Sequence, residues 1–388
     1  MKLKQQPTDF IVQELSNIQI SDTEKKYSIY LLEKQELDTF SALKYLSNQL
    51  NIPLFDIGYA GLKDKHALTR QYISIPTQDT VDLSKIPQIH LTFLGYSDTK
   101  IKIGDLTGNH FTITVRDIRS KEIHKILQRA QSISVDGIPN YFDSQRFGSV
   151  LHQDFIIRQV INNNFEHAVK MYLTEYLKSE SKRIKNIKRT ILDHWKTLEN
   201  LTIREKQFAV VIHEYQQTRS WEKAYKKIPA HLRELYVNAY QSYLWNECIK
   251  ELLKKHVNKQ QLFSVEYPLG SLLFYTMLTK QEKENLPETF QTISNTASFL
   301  DHEQPIVQTI LARQSLTLQH FDIYQKTGNF FKPRARPVIV YPADFFLSEP
   351  SIDELNTSSQ QPRYKIQLSF SLPKGSYATI VTKKIFGH

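Results

Sequence analysis

Cysteine occurs once in 388 residues, at Cys248. That excludes an internal disulfide framework and a zinc cage built on cysteine thiolates. It also argues against a zinc deaminase, which needs several such ligands, and it fits a reducing cytoplasm. Glycine is sparse, at 11 residues, and its positions permit neither a dinucleotide fingerprint nor a phosphate-binding P-loop. No G-x-S-x-G elbow is present. His213-Glu214 lacks the second histidine of a zincin. Long apolar runs are missing as well. Those near Leu269–Leu278 and Val338–Leu347 are short and interrupted, and neither can span a bilayer. The segment Met1 to Phe10 is polar and lacks the apolar region of a signal peptide. Together these absences point to chemistry without a metal or organic cofactor, in a protein with no membrane span.

What is present is positive charge. Lys and Arg number 50 against 40 Asp and Glu, a formal net charge of +10. Such a balance favours a polyanionic partner, with RNA or DNA first. The hydrophobic fraction of 40% and aromatic fraction of 11% fit a folded chain, and the length implies two or three domains. Nothing in the sequence demands more than a monomer.

The first third reads as mixed α and β. Phe10, Val12 and Glu14 alternate as in a strand, and Tyr27–Leu32 forms another. Asp38 or Thr39 can cap a helix whose apolar positions are Phe40, Leu43, Leu46 and Leu50. Gln71–Ile75, His90–Leu94 and Phe111–Val115 read as strands, followed by a helix at 121–134 and the loop Gly137–Gly148. From 154 to 255 the pattern turns helical, with few Gly or Pro and a basic run from Lys178 to Arg189. Leu235–Leu252 reads as one long helix, with Tyr236, Ala239, Tyr240, Tyr243 and Leu244 at helical spacing. The chain then reads as irregular through Thr296, and Ser315–Lys326 as a linking element back to the first domain. Arg336–Tyr341, Tyr364–Phe370 and Tyr377–Thr382 read as closing strands. A helical segment between two α/β segments predicts a discontinuous domain.

One stretch concentrates chemistry. In Ala60-Gly-Leu-Lys-Asp-Lys-His-Ala-Leu-Thr69 a carboxylate, Asp64, stands between Lys63 and Lys65, with His66, Arg70 and Gln71 beside it. Nearby cations favour the charged carboxylate, and an ionised carboxylate can act as nucleophile or base. A turn aspartate that caps its own backbone is the plainer alternative; the density of donors around Asp64 argues past it. By spacing, Lys63 is expected to keep Asp64 ionised. Asn109 carries both donor and acceptor groups suited to a base edge. Phe111 shares a strand face with Ile113 and Val115, so it is either core or a platform under a base. Asn140-Tyr-Phe-Asp-Ser-Gln-Arg-Phe147 interleaves aromatics with Arg146, a pattern suited to a nucleic-acid surface or to a packed loop. The basic run is a phosphate-contacting face or a solvated helix.

These residues resemble a known family. Thr8-Asp-Phe-Ile-Val-Gln-Glu14, the Asp64 stretch, Gly108-Asn-His-Phe111, Pro139-Asn-Tyr-Phe142 with Gln145-Arg-Phe-Gly148, Asn238-Ala-Tyr-Gln-Ser-Tyr-Leu-Trp-Asn246, Arg336-Pro337 and Leu372-Pro-Lys-Gly-Ser-Tyr-Ala-Thr379 are similar to signatures of the TruD family of tRNA pseudouridine synthases. Tyr27, Asp143, the Arg334-Ala-Arg336 spacing and Tyr377 depart from common family choices, and none of them touches the Asp64 stretch. The resemblance implies an α+β protein. Its catalytic domain, 1–150 plus 330–388, would carry a curved, mainly antiparallel sheet and be interrupted by a mostly helical insertion at 151–329. It implies an isomerase converting uridine to pseudouridine in tRNA, at uridine 13 of the D arm, with Asp64 as nucleophile. Phe10, Asn109 and Phe111 would build the pocket and Tyr377 would close it. Lys63, Lys65, His66, Arg70, Asn140 and Arg146 are the expected supporting or RNA-contacting residues. A non-catalytic tRNA-binding or folding protein is the competing expectation. A metal-dependent nuclease would need converging carboxylates, and the sequence shows only scattered ones.

Overall fold

The computed structural model describes residues 1–77, 89–178 and 180–387. Position 179 of the basic run lies outside them. The chain divides into two compact units, one formed by Met1–Ile138 with Val340–His388, the other by Pro139–Ile339. The divisions fall near 138 and 340, compared with the expected 150 and 330.

The first unit is built on a mixed sheet with nine strands among the described residues. β1 (Phe10–Ser16), β2 (Tyr27–Lys34), β3 (Gly58–Tyr59), β4 (Leu68–Pro76), β5 (Ile89–Ser97) and β6 (Leu106–Ile118) come from the first third. Ala343–Leu347, Ser351–Ile352 and Tyr364–Pro373 come from the end. The order along the sheet is Ala343–Leu347, Tyr364–Pro373, β6, β1, β4, β2, β5. β1 and β4 pair in parallel, and the neighbours on either side pair antiparallel. The α+β class with a mainly antiparallel sheet is therefore the class observed.

Alternation explains the strands. In β1, Phe10, Val12 and Glu14 are buried, so one polar residue sits among the apolar ones on the inward face. In β6, Phe111, Ile113 and Val115 are buried likewise. One helix, α1 (Thr39–Leu50), is capped by Asp38, whose carboxylate accepts from Ser41 N at 2.9 Å. It buries Ala42, Leu43 and Leu46 against Leu32, Ile57, Ile73 and Ile75. Phe40, expected on that face, is 54% exposed; the stripe runs through Thr39 and Ala42 and leaves Phe40 outside. The expected strand at Tyr377–Thr382 is a helix, Ala378–Phe386, which packs on α2 (Ser120–Gln131).

The second unit is mostly helical, and its longest helix spans Ala230–His256. The segment expected to be irregular contains a hairpin, Leu262–Tyr267 paired with Gly270–Tyr275. Ser315–Lys326, expected as a link to the first domain, lies inside this unit. Two of the sequence signatures meet here as packing. Asn246 accepts from Phe142 N at 2.9 Å and donates to Phe142 O at 2.8 Å, and Trp245 Nε1 donates to Asn140 O at 2.9 Å. Among the described residues no helix is long and apolar enough to cross a membrane.

Candidate active site

Asp64 sits on the loop joining β3 to β4, and that loop is fastened at Gly61, Lys63 and Asp64. Gln71 of β4 donates to Gly61 O at 3.2 Å. Thr39, the first residue of α1, donates to Gln71 Oε1 and accepts from Lys63 N, both at 2.9 Å. Lys34, at the end of β2, donates to Asp64 O at 3.2 Å. A loop anchored by two strands and a helix holds its side chains in fixed directions, which is what positioned chemistry requires.

The Asp64 carboxylate has two partners. Oδ1 accepts from His66 N at 2.9 Å, and Oδ2 forms a short ion pair with Lys4 Nζ. Burial pushes this carboxyl upward, but the Lys4 and His66 amide bonds and the Lys4 charge outweigh it. The group stays below the ordinary carboxylate value and is ionised at neutral pH. The same ammonium lies 4.2 Å from the centre of the Phe10 ring. Lys4 thus joins the carboxylate to an aromatic wall, a cation–π contact on one side and a charge pair on the other.

Lys63 does not take the place expected of it. Its side chain is 5% exposed and pairs with Glu14, whose side chain is fully buried. Burial raises the Glu14 carboxyl, and Lys63 only partly offsets that. The cation that keeps Asp64 ionised is Lys4. Lys65 and His66 are exposed. Arg70 pairs with Glu33 at 2.6 Å.

Three of the four expected pocket residues, Phe10, Asn109 and Phe111, lie on one sheet face. Phe10 and Phe111 meet edge to face with ring centres 6.3 Å apart, and Phe111 also lies against Phe370 at 5.6 Å. Both are buried, so Phe111 is part of the core. Asn109 precedes Phe111 by two residues, on the same face. It stands opposite Glu14 of β1 and Leu372 of the last strand. Its Oδ1 is buried, with no hydrogen-bond partner among the described residues. Gly108 and Pro373 are opposite one another, and four residues later half-buried Tyr377 caps the C-terminal helix. Asn140 and Arg146 belong to the second unit. Asn140 is 5% exposed, and its amide donates to Pro337 O at 3.0 Å. Arg146 donates to Ser242 Oγ at 3.0 Å and lies over Phe142.

Lys4, Lys34, Glu14 and Thr39 were not marked as site residues by the sequence. Lys34 had left a signal, since it occupies the inward register of Leu32 at the end of an alternating run. Lys4 left none, standing in a polar stretch with no pattern.

A fold of this kind, with an ionised aspartate held on an anchored loop beside an aromatic wall, has counterparts of known family. The model of the family described as tRNA pseudouridine synthase D (TruD) matches residues 1–267 and 278–385. The chain belongs to that family, whose activity is pseudouridine synthesis in tRNA, an isomerisation. It is 39% identical to a protein of Methanocaldococcus jannaschii named "Probable tRNA pseudouridine synthase D 2", over 100% of this chain and 92% of the relative. It is 28% identical to the tRNA pseudouridine synthase D of Aquifex aeolicus, over 100% and 98%. A solved TruD structure from Methanosarcina mazei superposes with a TM-score of 0.75 at 26% identity, covering 100% of this chain and 93% of that one.

Proposed function

We propose that this chain converts uridine 13 in the D arm of tRNA to pseudouridine, with Asp64 as the nucleophile. The observation that carries the reading is the Asp64 carboxylate, ionised and fixed by Lys4 beside the Phe10 ring. A free surface aspartate would have neither the anchored loop nor the shared ammonium.

The reaction breaks the C1′–N1 bond, turns the uracil, and forms C1′–C5 while the C5 proton is lost and N1 gains one. Atoms and electrons balance without a cofactor. The target base must leave its stack, at a cost of a few kcal/mol. Phe10 and Phe111 form an apolar wall for its ring, and stacking on such a platform returns about 1–3 kcal/mol. The unpaired Asn109 Oδ1 is an acceptor for the uracil N3–H. A buried acceptor without a partner is costly, and a base edge would relieve that cost. Tyr377 closes the pocket from the start of the C-terminal helix. Exposed Lys65 and His66 contact the RNA backbone at the rim, and Arg70 supports them.

The test is Asp64→Asn, with modified positions mapped in tRNA and RNA affinity measured by filter binding. Product is expected to vanish while affinity is retained. Turnover by the variant overturns the role of Asp64. Cellular rescue by the variant favours an RNA-binding or folding role, and product at a different D-arm position corrects the target.

A further inference from the structure

Lys34 is a buried cation that the mechanism above does not use. It is 1% exposed. Its Nζ donates to Leu37 O at 2.6 Å and to Asp64 O at 3.2 Å. Among the described residues it has no ion-pair partner; both acceptors are peptide carbonyls. Burying a lysine without a carboxylate is expensive. A methionine would fill the space with no charge to bury, so the charge has a use where it stands.

The geometry points to Lys34 as a positioning residue for Asp64, its ammonium tying the Asp64 peptide to the end of β2 and fixing the direction in which the carboxylate leaves the chain. This rests on the reading of Asp64 as the reacting group. Two lysines then divide the work on one residue. Lys4 holds the carboxylate from outside, and Lys34 holds its backbone from beneath. Thr39 and Gln71 fix the residues just before it, and Lys34 fixes Asp64 itself.

The arrangement is sensitive to protonation. The charged groups facing Lys34 are Asp38 from the start of α1 and Asp64 and Lys63 from the loop. β4 and β5 place uncharged Thr69 and Ile89 opposite it. Burial lowers the ammonium to about 8, against the upward pull of Asp38 and Asp64. Below that pH the clamp is charged, and above it the amine is neutral. A neutral donor binds carbonyls more weakly than a charged one. The carboxylate then wanders, and turnover falls while RNA binding, made elsewhere, does not.

The experiment compares kcat and KM against pH for the full-length parent, Lys34→Met, Lys34→Arg and Asp64→Asn. Parent kcat is expected to decline as pH rises through about 8. Lys34→Met should lower kcat by roughly 10- to 100-fold, as about 1 Å of misplacement does, with KM unchanged and that alkaline limb gone. Lys34→Arg, charged at every accessible pH, should restore part of kcat and move the limb upward. Melting curves show whether each variant is folded; if Lys34→Met is not, the profile of Lys34→Arg decides. The inference is overturned if Asp64→Asn is inactive and folded Lys34 variants keep the parental kcat and pH profile. It is equally overturned if they lose stability and activity together with the profile unmoved. Turnover by Asp64→Asn removes the underlying reading instead.

Discussion

Replacing Lys63 by methionine removes one half of a buried ion pair. Glu14 is fully buried and Lys63 nearly so. Methionine approximates the length of the lysine stem, so the main change is the lost charge. Deleting one partner of a buried pair costs about 3–5 kcal/mol. The unit holding the pair is of a size at which each kcal/mol lowers the melting temperature by about 2–4 °C, giving a fall of roughly 6–20 °C. The variant has one escape, which is to protonate Glu14. Burial already holds that carboxyl above its ordinary value of 4.5, and without Lys63 it rises further. A raised carboxyl means the folded state binds more protons than the unfolded one between 4.5 and the folded value, so stability falls as pH rises through that window. The deficit of Lys63→Met is therefore expected to be smaller at mildly acidic than at neutral pH, measured by calorimetry at each. Adding Glu14→Gln should recover most of it, because no buried charge remains. Parental melting of the single variant would falsify the account, as would a deficit that ignores pH. Below its melting temperature the variant should keep activity, because Lys4 rather than Lys63 ionises Asp64.

Lys4→Met removes the cation that holds the Asp64 carboxyl down. The carboxyl then moves up toward its ordinary value, and the acid limb of kcat/KM shifts to higher pH; initial rates across the acidic range check this, and an unmoved limb refutes it. Gly108→Ala drives a Cβ into Leu372 O, a backbone atom, so β6 and the last strand must part beside Asn109. A loss of about 1–3 kcal/mol with a drop in turnover is expected, and a variant that melts and reacts like the parent refutes the close approach.

Legibility followed distance along the chain. β1, β4 and β6 declared themselves because their inward faces alternate, and Asp38 was readable as a cap because its partner is three residues away. Tyr377–Thr382 misled because Thr379, Ile380, Val381 and Thr382 are β-branched. The helix there is buried on nearly every side, so no polar stripe betrays its period, and tertiary packing overrides propensity. The hairpin at Leu262–Tyr275 was hidden by its turn, Pro268-Leu269, which lacks the Asn-Gly or Asp-Gly signal. At the site, Asp64 and His66, whose amide it accepts from, were visible in one dense stretch. Lys4 lies 60 residues from it and Lys34 lies 30, and no local pattern reports contacts at that range. Lys63 misled for the opposite reason: adjacency in sequence pointed to Asp64, while the loop turns its side chain inward to Glu14.

The pairing of β6 with Tyr364–Pro373 sets an order on maturation. The helical unit is one continuous stretch and can consolidate while it is being made. The sheet of the first unit cannot: β1 already flanks Phe111 and Asn109 on one side, but the strand on their other side emerges some 260 residues afterwards, and long-range closure of this kind is slow. Until then β6 presents an open edge, the kind of surface that invites wrong partners. During translation the nascent chain therefore carries Asp64 long before the strand that flanks Asn109 and Phe111 has been made.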